Sequence, residues 1–305
     1  MNQPQEGCLT LGPLLFNWAP EAWRDFYLRM ADEAPVDVVY LGEVVCSKRA
    51  PFVAPHLAEV VERLQAAGKE VVISTLGLIM DGREMDQVRE TVAGGDWPVE
   101  ANDISAAALL RGRPHVIGPG INVYNEGTLA VLAGQGATRV CVPGELPADS
   151  IRVLAGTGLA EIEVQVFGRL PLAISARCYH ARQRGWEKDS CRYACADDPD
   201  GMELDTLDGT PFLAVNGTQT LSRACCNLLA ELGDLRAMGV GHFRLSPQDT
   251  DMAAVARLFR AVLDGDLDPA EADDRLAALV PAMPFANGFY YGEEGMAFLA
   301  AGGGE

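Results

Sequence analysis

Three cysteines lie in one polar segment, residues 175–200, where thiols can bind a metal. Cys178, Cys191 and Cys195 in this cysteine segment are separated by twelve and then three residues. Cys46, in LGEVVCSKRAPF, is the best candidate for a fourth ligand. Four thiolates are the usual ligands of a [4Fe–4S] cluster. The residue types and their clustering therefore predict a four-cysteine iron–sulfur site.

Basic residues accompany these cysteines. Five of the 24 Lys and Arg side chains fall in the cysteine segment: Arg177, Arg182, Arg184, Lys188 and Arg192. Nearby cations favour the thiolate form and offset the negative charge of a thiolate-bound cluster. Arg177, next to Cys178, either holds an anionic substrate, donates to a cluster sulfide or is simply solvated.

Two other interpretations of the four thiols stay open. Zinc is also bound by four thiolates, although structural zinc sites usually contain C-x2-C pairs, which this sequence lacks. The cysteines can also be unrelated half-buried side chains in a long loop. The spacing therefore favours iron–sulfur over zinc only by a small margin.

Short β-rich runs alternate with amphipathic helical patterns up to about residue 263. Runs such as VDVVYL and EVVIST are typical of parallel strands buried on both faces. The alternation fits a (β/α)8 TIM-like barrel, regular or distorted, with a doubly wound open sheet as the alternative. Eight strands are predicted, at residues 9–15, 36–41, 70–75, 98–102, 115–117, 138–142, 161–166 and 242–245.

We interpret residues 1–305 as a single barrel domain with two additions. An insertion at residues 171–220, between the seventh and eighth strands, carries the three clustered cysteines. A C-terminal extension, residues 264–305, comprises an acidic connector, a short helix at residues 275–280 and a disordered Gly-rich end. Because barrel active sites lie at the carboxyl ends of the strands, Cys46 and the insertion are expected at one rim.

Other side chains near this rim have both a functional and a structural interpretation. Glu43 either orients a ligand or only makes structural hydrogen bonds. His180 can replace a cysteine as a cluster ligand, but four cysteines already complete the set. Three residues either line the barrel mouth or cap the helix that begins near residue 126: Asn122, Tyr124 and Asn125.

The remaining four cysteines have structural interpretations. Cys141 lies in an apolar strand and is expected in the core. Cys225 and Cys226 begin a helical pattern, ACCNLLAEL, in which at least one faces the core. Cys8 lies near the N-terminus without a partner in the surrounding sequence.

Composition narrows the class of partner and the compartment. A formal net charge of −19 argues against nucleic acid as the main partner and against an anionic membrane surface. The sequence shows neither a signal peptide nor an apolar run of about 20 residues, so we expect a cytoplasmic protein without an integral membrane segment. In that compartment cysteines indicate metal or redox chemistry rather than disulfides.

Six motifs together resemble the collagenase-like peptidase family, in its ubiquinone-biosynthesis branch. They are LGPLLFNWAPEAWRDFY, VYLGEVVCSKR, ISTLGL, SARCYHAR, DSCRYAC and LSPQDTD. The resemblance runs from about residue 9 to about residue 260, and its most specific part is one cysteine in EVVCSKR followed by C-x12-C-x3-C.

The resemblance implies a [4Fe–4S] cluster on Cys46, Cys178, Cys191 and Cys195, the set also reached from the clustering. It implies a heterodimer with the family member UbiU, with the lipid-binding protein UbiT as an accessory. The implied reaction is oxygen-independent hydroxylation of a prenylated phenol in ubiquinone biosynthesis. The catalytic residues are not identified by it.

Two alternatives to this function stay open. One is a non-catalytic scaffold whose cluster shapes the insertion so that UbiU can dock. The other is a collagenase-like peptidase relative, although the sequence contains neither G-x-S-x-G nor H-E-x-x-H and only four histidines, His56, His115, His180 and His242.

Overall fold

Eight parallel strands close into a barrel in the computed structural model, which describes residues 7–95 and 97–300. Each strand pairs in parallel with its neighbour in the chain, and the last barrel strand pairs with both the first and the seventh. The predicted (β/α)8 barrel is confirmed, and the open sheet is excluded by this closure. The barrel strands are β1 (Cys8–Leu11), β2 (Val38–Leu41), β3 (Glu70–Ser74), β4 (Val99–Ala101), β5 (His115–Ile117), β6 (Ala137–Cys141), β7 (Glu161–Ile174) and β11 (His242–Leu245).

Helices follow the barrel strands and pack on the outside of the barrel, except α7, which lies in the insertion and contacts β9. Their apolar faces and the outward side chains of the strands form the main core, which includes Leu9, Tyr27 and Phe259. The helices are α1 (Pro20–Glu33), α2 (Ala50–Ala66), α3 (Gly82–Ala93), α4 (Ile104–Leu109), α5 (Glu126–Gly134), α6 (Ala148–Gly156), α7 (Tyr179–Gln183), α8 (Leu232–Ala237), α9 (Met252–Asp264) and α10 (Pro269–Leu279).

The inside of the barrel is polar at its centre. Side chains alternate along each strand, so Thr10, Tyr40, Glu163 and Arg244 point inward while their neighbours join the outer core. Arg244 donates to the buried carboxylates of Glu163 at 2.7 Å and Glu100 at 2.6 Å. Buried charges are tolerated when they are paired and hydrogen-bonded, as these are.

The predicted insertion between the seventh and eighth barrel strands is present and contains a small antiparallel sheet. Strand β7 continues past the barrel wall to Ile174, where its second half pairs with β10. The other strands of this inserted sheet follow in the order β10, β9 and β8. Their bounds are β8 (Met202–Asp205), β9 (Pro211–Asn216) and β10 (Gln219–Asn227).

Two local predictions were wrong. Cys225 and Cys226 lie in β10, where they pair with β7 and with the short strand β12 (Phe285–Ala286), and not in a helix. The acidic connector contains the first half of α10, because the Asp268 carboxylate accepts from two backbone N–H groups of the first turn and Pro269 opens the helix. The expected disordered end, residues 301–305, lies outside the described residues.

Gly42 ends β2 where the chain turns into the loop that carries Cys46. Its φ is +125°, and a Cβ there would overlap the carbonyl oxygen of Ser74 on the adjacent strand. We expect Gly42→Ala to lower the free energy of unfolding by at least about 3 kcal/mol, since overlap adds to backbone strain. Gly68→Ala is the matched control, because Gly68 also has positive φ (+78°) but open space around it. A urea denaturation series in which both variants lose equal stability would contradict the overlap.

Candidate functional site

Two cysteine-bearing parts of the chain meet at the carboxyl rim of the barrel. One is the loop at residues 42–49, between β2 and α2, which we call the Cys46 loop; the other is the cysteine segment. Lys48 Nζ joins them by donating to the carbonyl of Lys188 at 2.7 Å and to Asp189 at 2.9 Å. The predicted convergence on one rim is therefore seen in the fold.

Glu43 shapes the Cys46 loop. Its Oε1 accepts from the backbone N–H groups of Val45 at 2.8 Å and Cys46 at 2.9 Å. Burial raises the pKa of Glu43, while Arg49 and these two N–H groups oppose the rise. Of the two interpretations of Glu43, the structure supports a positioning role, because the carboxylate fixes the backbone at Cys46.

Short turns present the three cysteines of the segment. Cys178 precedes α7, Cys191 follows the 3-10 turn Lys188–Ser190, and Cys195 lies in the 3-10 turn Ala194–Asp197. Between the last two cysteines, Arg192 and Tyr193 both adopt left-handed φ, at 48° and 56°. Such conformations cost on the order of 1–3 kcal/mol each and persist only where surrounding contacts impose them.

Aromatic packing supplies contacts that hold this strained turn. Tyr193 meets the ring of Phe52, on α2, edge-on with centroids 4.8 Å apart. The Arg192 guanidinium lies 5.1 Å from the centre of the Trp186 ring, and Arg184 lies 5.8 Å from it. The cysteine segment is thus fixed both to the barrel and to itself.

Arg49 and Asn17 reach the site although the sequence analysis gave them no role. Arg49 is 3% exposed and donates to the carbonyl of Leu15 at 2.7 Å and to Asn216 on β9 at 2.9 Å. Asn17, in the loop after β1, donates to Cys195 Sγ at 3.3 Å. The only sequence signal for Arg49 was its position three residues after Cys46, and Asn17 had none.

Burial and the neighbouring donors and charges shift the pKa of Cys46 and of Cys178 in opposite directions. Burial raises the pKa of Cys46, and the backbone N–H of Lys48 and the charges of Arg49 and Lys188 act against it. Burial also raises the pKa of Cys178, opposed by the N–H of Ala181. Burial is the larger effect, so both pKa values are raised on balance; the donors and cations limit this rise and so assist formation of the thiolate, the form that binds metals.

The four thiols share one electrostatic environment. The negative charges of Cys195 and Cys191 act on Cys178, and those of Cys195 and Cys46 act on Arg49. Burial acts to lower the pKa of Arg49, but Glu43 and the neighbouring Cys195 and Cys46 raise it. Within residues 7–95 and 97–300, no three His, Cys, Asp or Glu side chains stand in an arrangement for one metal ion.

The basic residues of the cysteine segment mostly stabilise that segment. Arg184 pairs with Asp197, and Lys188 Nζ lies 3.5 Å from the buried carboxylate of Glu84. The side chain of Arg177 is exposed. Of the five, Lys188 is the one whose charge acts on Cys46.

His180 uses both ring nitrogens within the protein. Its Nδ1 accepts from the Gly217 backbone N–H at 2.9 Å, and its Nε2 lies 3.1 Å from Asp198. Burial lowers its pKa, so the neutral ring donates from Nε2. With both nitrogens engaged, His180 supports the position of α7 rather than serving as a ligand.

The loop after β5 contains both of its predicted features. Asn125 caps α5 by accepting from the Thr128 N–H at 2.9 Å, whereas Asn122 lines a cavity at the barrel mouth. Tyr124 donates to Glu145. The capping and lining interpretations thus apply to different residues.

The other four cysteines belong to the protein interior. Cys141, Cys225 and Cys226 are buried, as expected for Cys141. Burial raises the pKa of Cys8 and of Cys225 to about 12. All four lie in strands, β1, β6 and β10, and so outside the Cys46 loop and the cysteine segment.

The cavity at the barrel mouth adjoins the Cys46 loop, although none of the four candidate cysteines is among the residues that line it. It has a volume of about 150 Å³ and is bordered by the ends of the barrel strands and by β7 and β10. Val44 of the Cys46 loop forms part of its wall. Thr218, next to the cavity residue Gln219, donates to the Val45 carbonyl at 3.0 Å.

One family model matches this chain, and the solved structures that match it are only weakly similar. The sequence profile of Peptidase family U32 matches residues 25–297. Tryptophan synthase from Pyrococcus furiosus is 10% identical, with a TM-score of 0.43, over 91% of this chain and 99% of that one. Tryptophan synthase from M. tuberculosis is 11% identical, with a TM-score of 0.38, over 90% and 93%.

A third solved structure is Phospho-2-dehydro-3-deoxyheptonate aldolase from Thermotoga maritima. It is 12% identical, with a TM-score of 0.42, over 92% of this chain and 71% of that one. Since these scores are low, the barrel assignment rests on the strand pairing. Among the described residues, no helix is long and apolar enough to cross a membrane.

The family profile spans the rim that carries the site. Residues 25–297 include all four candidate cysteines, the Cys46 loop and the inserted sheet. A match over most of the chain is sufficient to assign the family. The chain therefore belongs to Peptidase family U32.

Proposed function

We propose that this protein is a UbiV-type iron–sulfur subunit that works with UbiU in oxygen-independent hydroxylation of a prenylated phenol in ubiquinone biosynthesis. UbiT is the accessory expected to carry the lipid substrate. The observation that carries the proposal is the meeting of the Cys46 loop and the cysteine segment beside the barrel-mouth cavity. The cytoplasm, which keeps thiols reduced, is the compartment that the proposal requires.

The residues present suit a [4Fe–4S] cluster held by Cys46, Cys178, Cys191 and Cys195. Hydrogen bonds to sulfur and nearby charge are among the features that tune such clusters. Here Asn17 donates to Cys195 Sγ, and the cation of Arg49 is buried against the same thiols. When bound, the cluster would supply one-electron transfer or a Lewis-acidic iron.

The chain itself would position these ligands and separate two of them from bulk water, whereas Cys46 and Cys191 are partly exposed. Cys178 and Cys195 are each 8% exposed. Arg49 and Asn216 both bind the carbonyl of Leu15, which ties the first barrel loop to the inserted sheet behind the cysteines. These hydrogen bonds would hold the ligand-bearing loops in place before any substrate binds.

The histidines give little support to the peptidase alternative. His115 and His242 are the first residues of β5 and β11, so they lie at the end of the barrel opposite the mouth. His242 contacts Glu161 at 3.1 Å, and both ring nitrogens of His180 are engaged. Barrel enzymes place their chemistry at the carboxyl end of the strands.

Anaerobic reconstitution with UbiU tests the proposal and separates it from its alternatives. An anaerobic cell extract that lacks this protein supplies the oxygen-atom donor that hydroxylation requires. In this extract we expect the wild-type pair to hydroxylate a prenylated phenol, and the variant with all four candidate cysteines changed to alanine to bind UbiU without activity. Size-exclusion chromatography measures the complex, and mass spectrometry measures the product. Loss of the complex in the variant would favour the scaffold role. Activity that survives in the variant would contradict any role for the cluster.

A further inference from the structure

Glu84 is a buried carboxylate outside both cysteine-bearing parts of the chain. It lies in the first turn of α3, a helix without cysteines, and is 2% exposed. A buried charge is stable only when other groups pair with it or donate hydrogen bonds to it. The partners of Glu84 therefore show what this carboxylate does in the fold.

Both cysteine-bearing parts contribute partners to Glu84. Its Oε1 accepts from Ser47 Oγ at 2.8 Å, and Ser47 follows Cys46 in the chain. The same oxygen lies 3.5 Å from the Nζ of Lys188, three residues before Cys191. One carboxylate oxygen on a third element therefore contacts the Cys46 loop and the cysteine segment together.

Helix capping does not account for these contacts. Asp81 caps α3 by accepting from the Glu84 N–H at 2.8 Å. A glutamate at the position of Glu84 commonly returns to the backbone N–H of the capping residue. Here its Oε2 instead accepts from the Met80 N–H at 2.8 Å. The cap is formed by Asp81, and the Glu84 carboxylate is used for contacts with the loops around it.

A second connection between the two cysteine-bearing parts lies at the surface. Lys48 Nζ donates to the carbonyl of Lys188 and to Asp189, whose side chain is 92% exposed. Exposed ion pairs contribute little to stability, whereas the loss of a partner is costly for a buried charge. We therefore expect the buried contacts of Glu84 to hold the Cys46 loop against Lys188.

The two thiols next to these contacts are the less protected ones. Cys46 and Cys191 are partly exposed, whereas Cys178 and Cys195 are buried. A partly exposed ligand is lost when its loop opens locally, and the frequency of opening depends on the contacts that hold the loop.

We propose that Glu84 is a positioning residue that fixes the Cys46 loop against the turn before Cys191 and so slows the loss of the cluster. It acts on these two ligands only through Ser47 and Lys188. The inference rests on the proposed function for the cluster, but the contacts of Glu84 belong to the protein itself and can be tested without iron.

Iron release to ferrozine, measured by absorbance on the full chain purified without oxygen, tests the inference. Glu84→Gln keeps the side-chain size, but its NH2 group replaces one acceptor oxygen and so faces a donor. We expect iron release about tenfold faster than from wild type, the effect of losing one hydrogen bond to a charged group. Ser47→Ala, which removes one contact from the other side, should also accelerate release. Combining the two changes should give no further acceleration beyond Glu84→Gln.

Asp81→Ala is the matched control, because it removes the cap of α3 but no contact of the Glu84 carboxylate. Hydrogen exchange, measured by mass spectrometry on metal-free protein, provides a second measurement. Peptides that cover residues 43–48 and 186–193 should exchange faster in Glu84→Gln than in wild type, because both loops lose a shared contact. In Asp81→Ala the faster exchange should be confined to α3.

Three results would overturn the inference. They are equal iron release from wild type and Glu84→Gln, equal acceleration by Glu84→Gln and Asp81→Ala, and full additivity of Glu84→Gln with Ser47→Ala. Wild-type protein without iron would instead contradict the proposed cluster, and the exchange of the two loops would then decide the role of Glu84 by itself. Failure of this inference is therefore distinguishable from failure of the proposed function.

Discussion

Changing Cys195 to alanine is expected to lower the iron content from about four atoms per chain to below one, because a [4Fe–4S] cluster is held by four thiolates. The same loss is expected for Cys46, Cys178 and Cys191. Cys195 provides the sharpest single test, since Asn17 donates to its sulfur and its charge acts on both Arg49 and Cys178. Iron and acid-labile sulfide assays on protein purified without oxygen measure the effect.

Cys225→Ala is the matched control for these variants. Cys225 is also buried, but it lies in β10, where it pairs with Arg169 of β7 and Phe285 of β12, and burial raises its pKa to about 12. Its replacement should leave iron and sulfide unchanged. A candidate cysteine that behaves like Cys225 is not a ligand.

Arg244→Met is expected to destabilise the barrel by about 3–5 kcal/mol at pH 7, the cost of leaving buried charges without their partner. Arg244 is the shared cation of Glu100 and Glu163 and lies 4.1 Å from the centre of the Tyr40 ring. Urea denaturation at pH 7 measures the loss. Arg152→Met is the control, because its ion pair with Asp149 is exposed and worth at most about 1 kcal/mol. A loss no larger than that control's would contradict the account of the barrel centre.

Wild type and Arg244→Met should differ in how their stability changes as the pH is lowered. Burial acts to raise the pKa of Glu163, but the Arg244 cation and hydrogen bonds from Arg244 and Thr10 lower it to about 2. A folded-state pKa below the unfolded value of 4.5 stabilises wild type by roughly 3 kcal/mol above pH 4.5, and this is lost as the pH falls toward 2.

Without Arg244, burial instead raises the pKa of Glu163 above its value in the unfolded chain. The folded state of Arg244→Met then binds more protons than the unfolded state, so its stability should rise as the pH is lowered from 7 to 5. Wild type should show no such gain from this group over that range. Parallel pH dependence of the two proteins would contradict the assignment of Arg244 as the compensating charge.

The barrel was predictable because its strands carry a local signal. Residues 115–117 and 242–245 match β5 and β11, since short apolar runs between helical patterns are typical of buried parallel strands. The extension of β7 as far as Ile174 was not predicted. Its second half is stabilised by antiparallel pairing with β10, a contact between segments that are distant in the sequence. The prediction of a helix at Cys225 and Cys226 was wrong for the same reason, because strand pairing with β7 overrides local helix propensity.

The candidate site was predictable only where residue type and spacing coincide. The cysteines stand out because three thiols fall within one short polar segment and a fourth follows the second predicted strand. Arg49 and Asn17 are single polar residues without a spacing pattern, and their significance comes from burial and from contacts with distant segments. Glu163 and Arg244 are likewise linked only by the closure of the barrel.

The central claim is that Cys46, Cys178, Cys191 and Cys195 hold one iron–sulfur cluster at the barrel rim. The most direct test is the iron and sulfide content, with the visible spectrum, of wild-type protein purified without oxygen. The account predicts about four iron and four sulfide per chain, both absent when the four cysteines are changed to alanine. Zinc in place of iron, or a wild-type protein without metal, would contradict it.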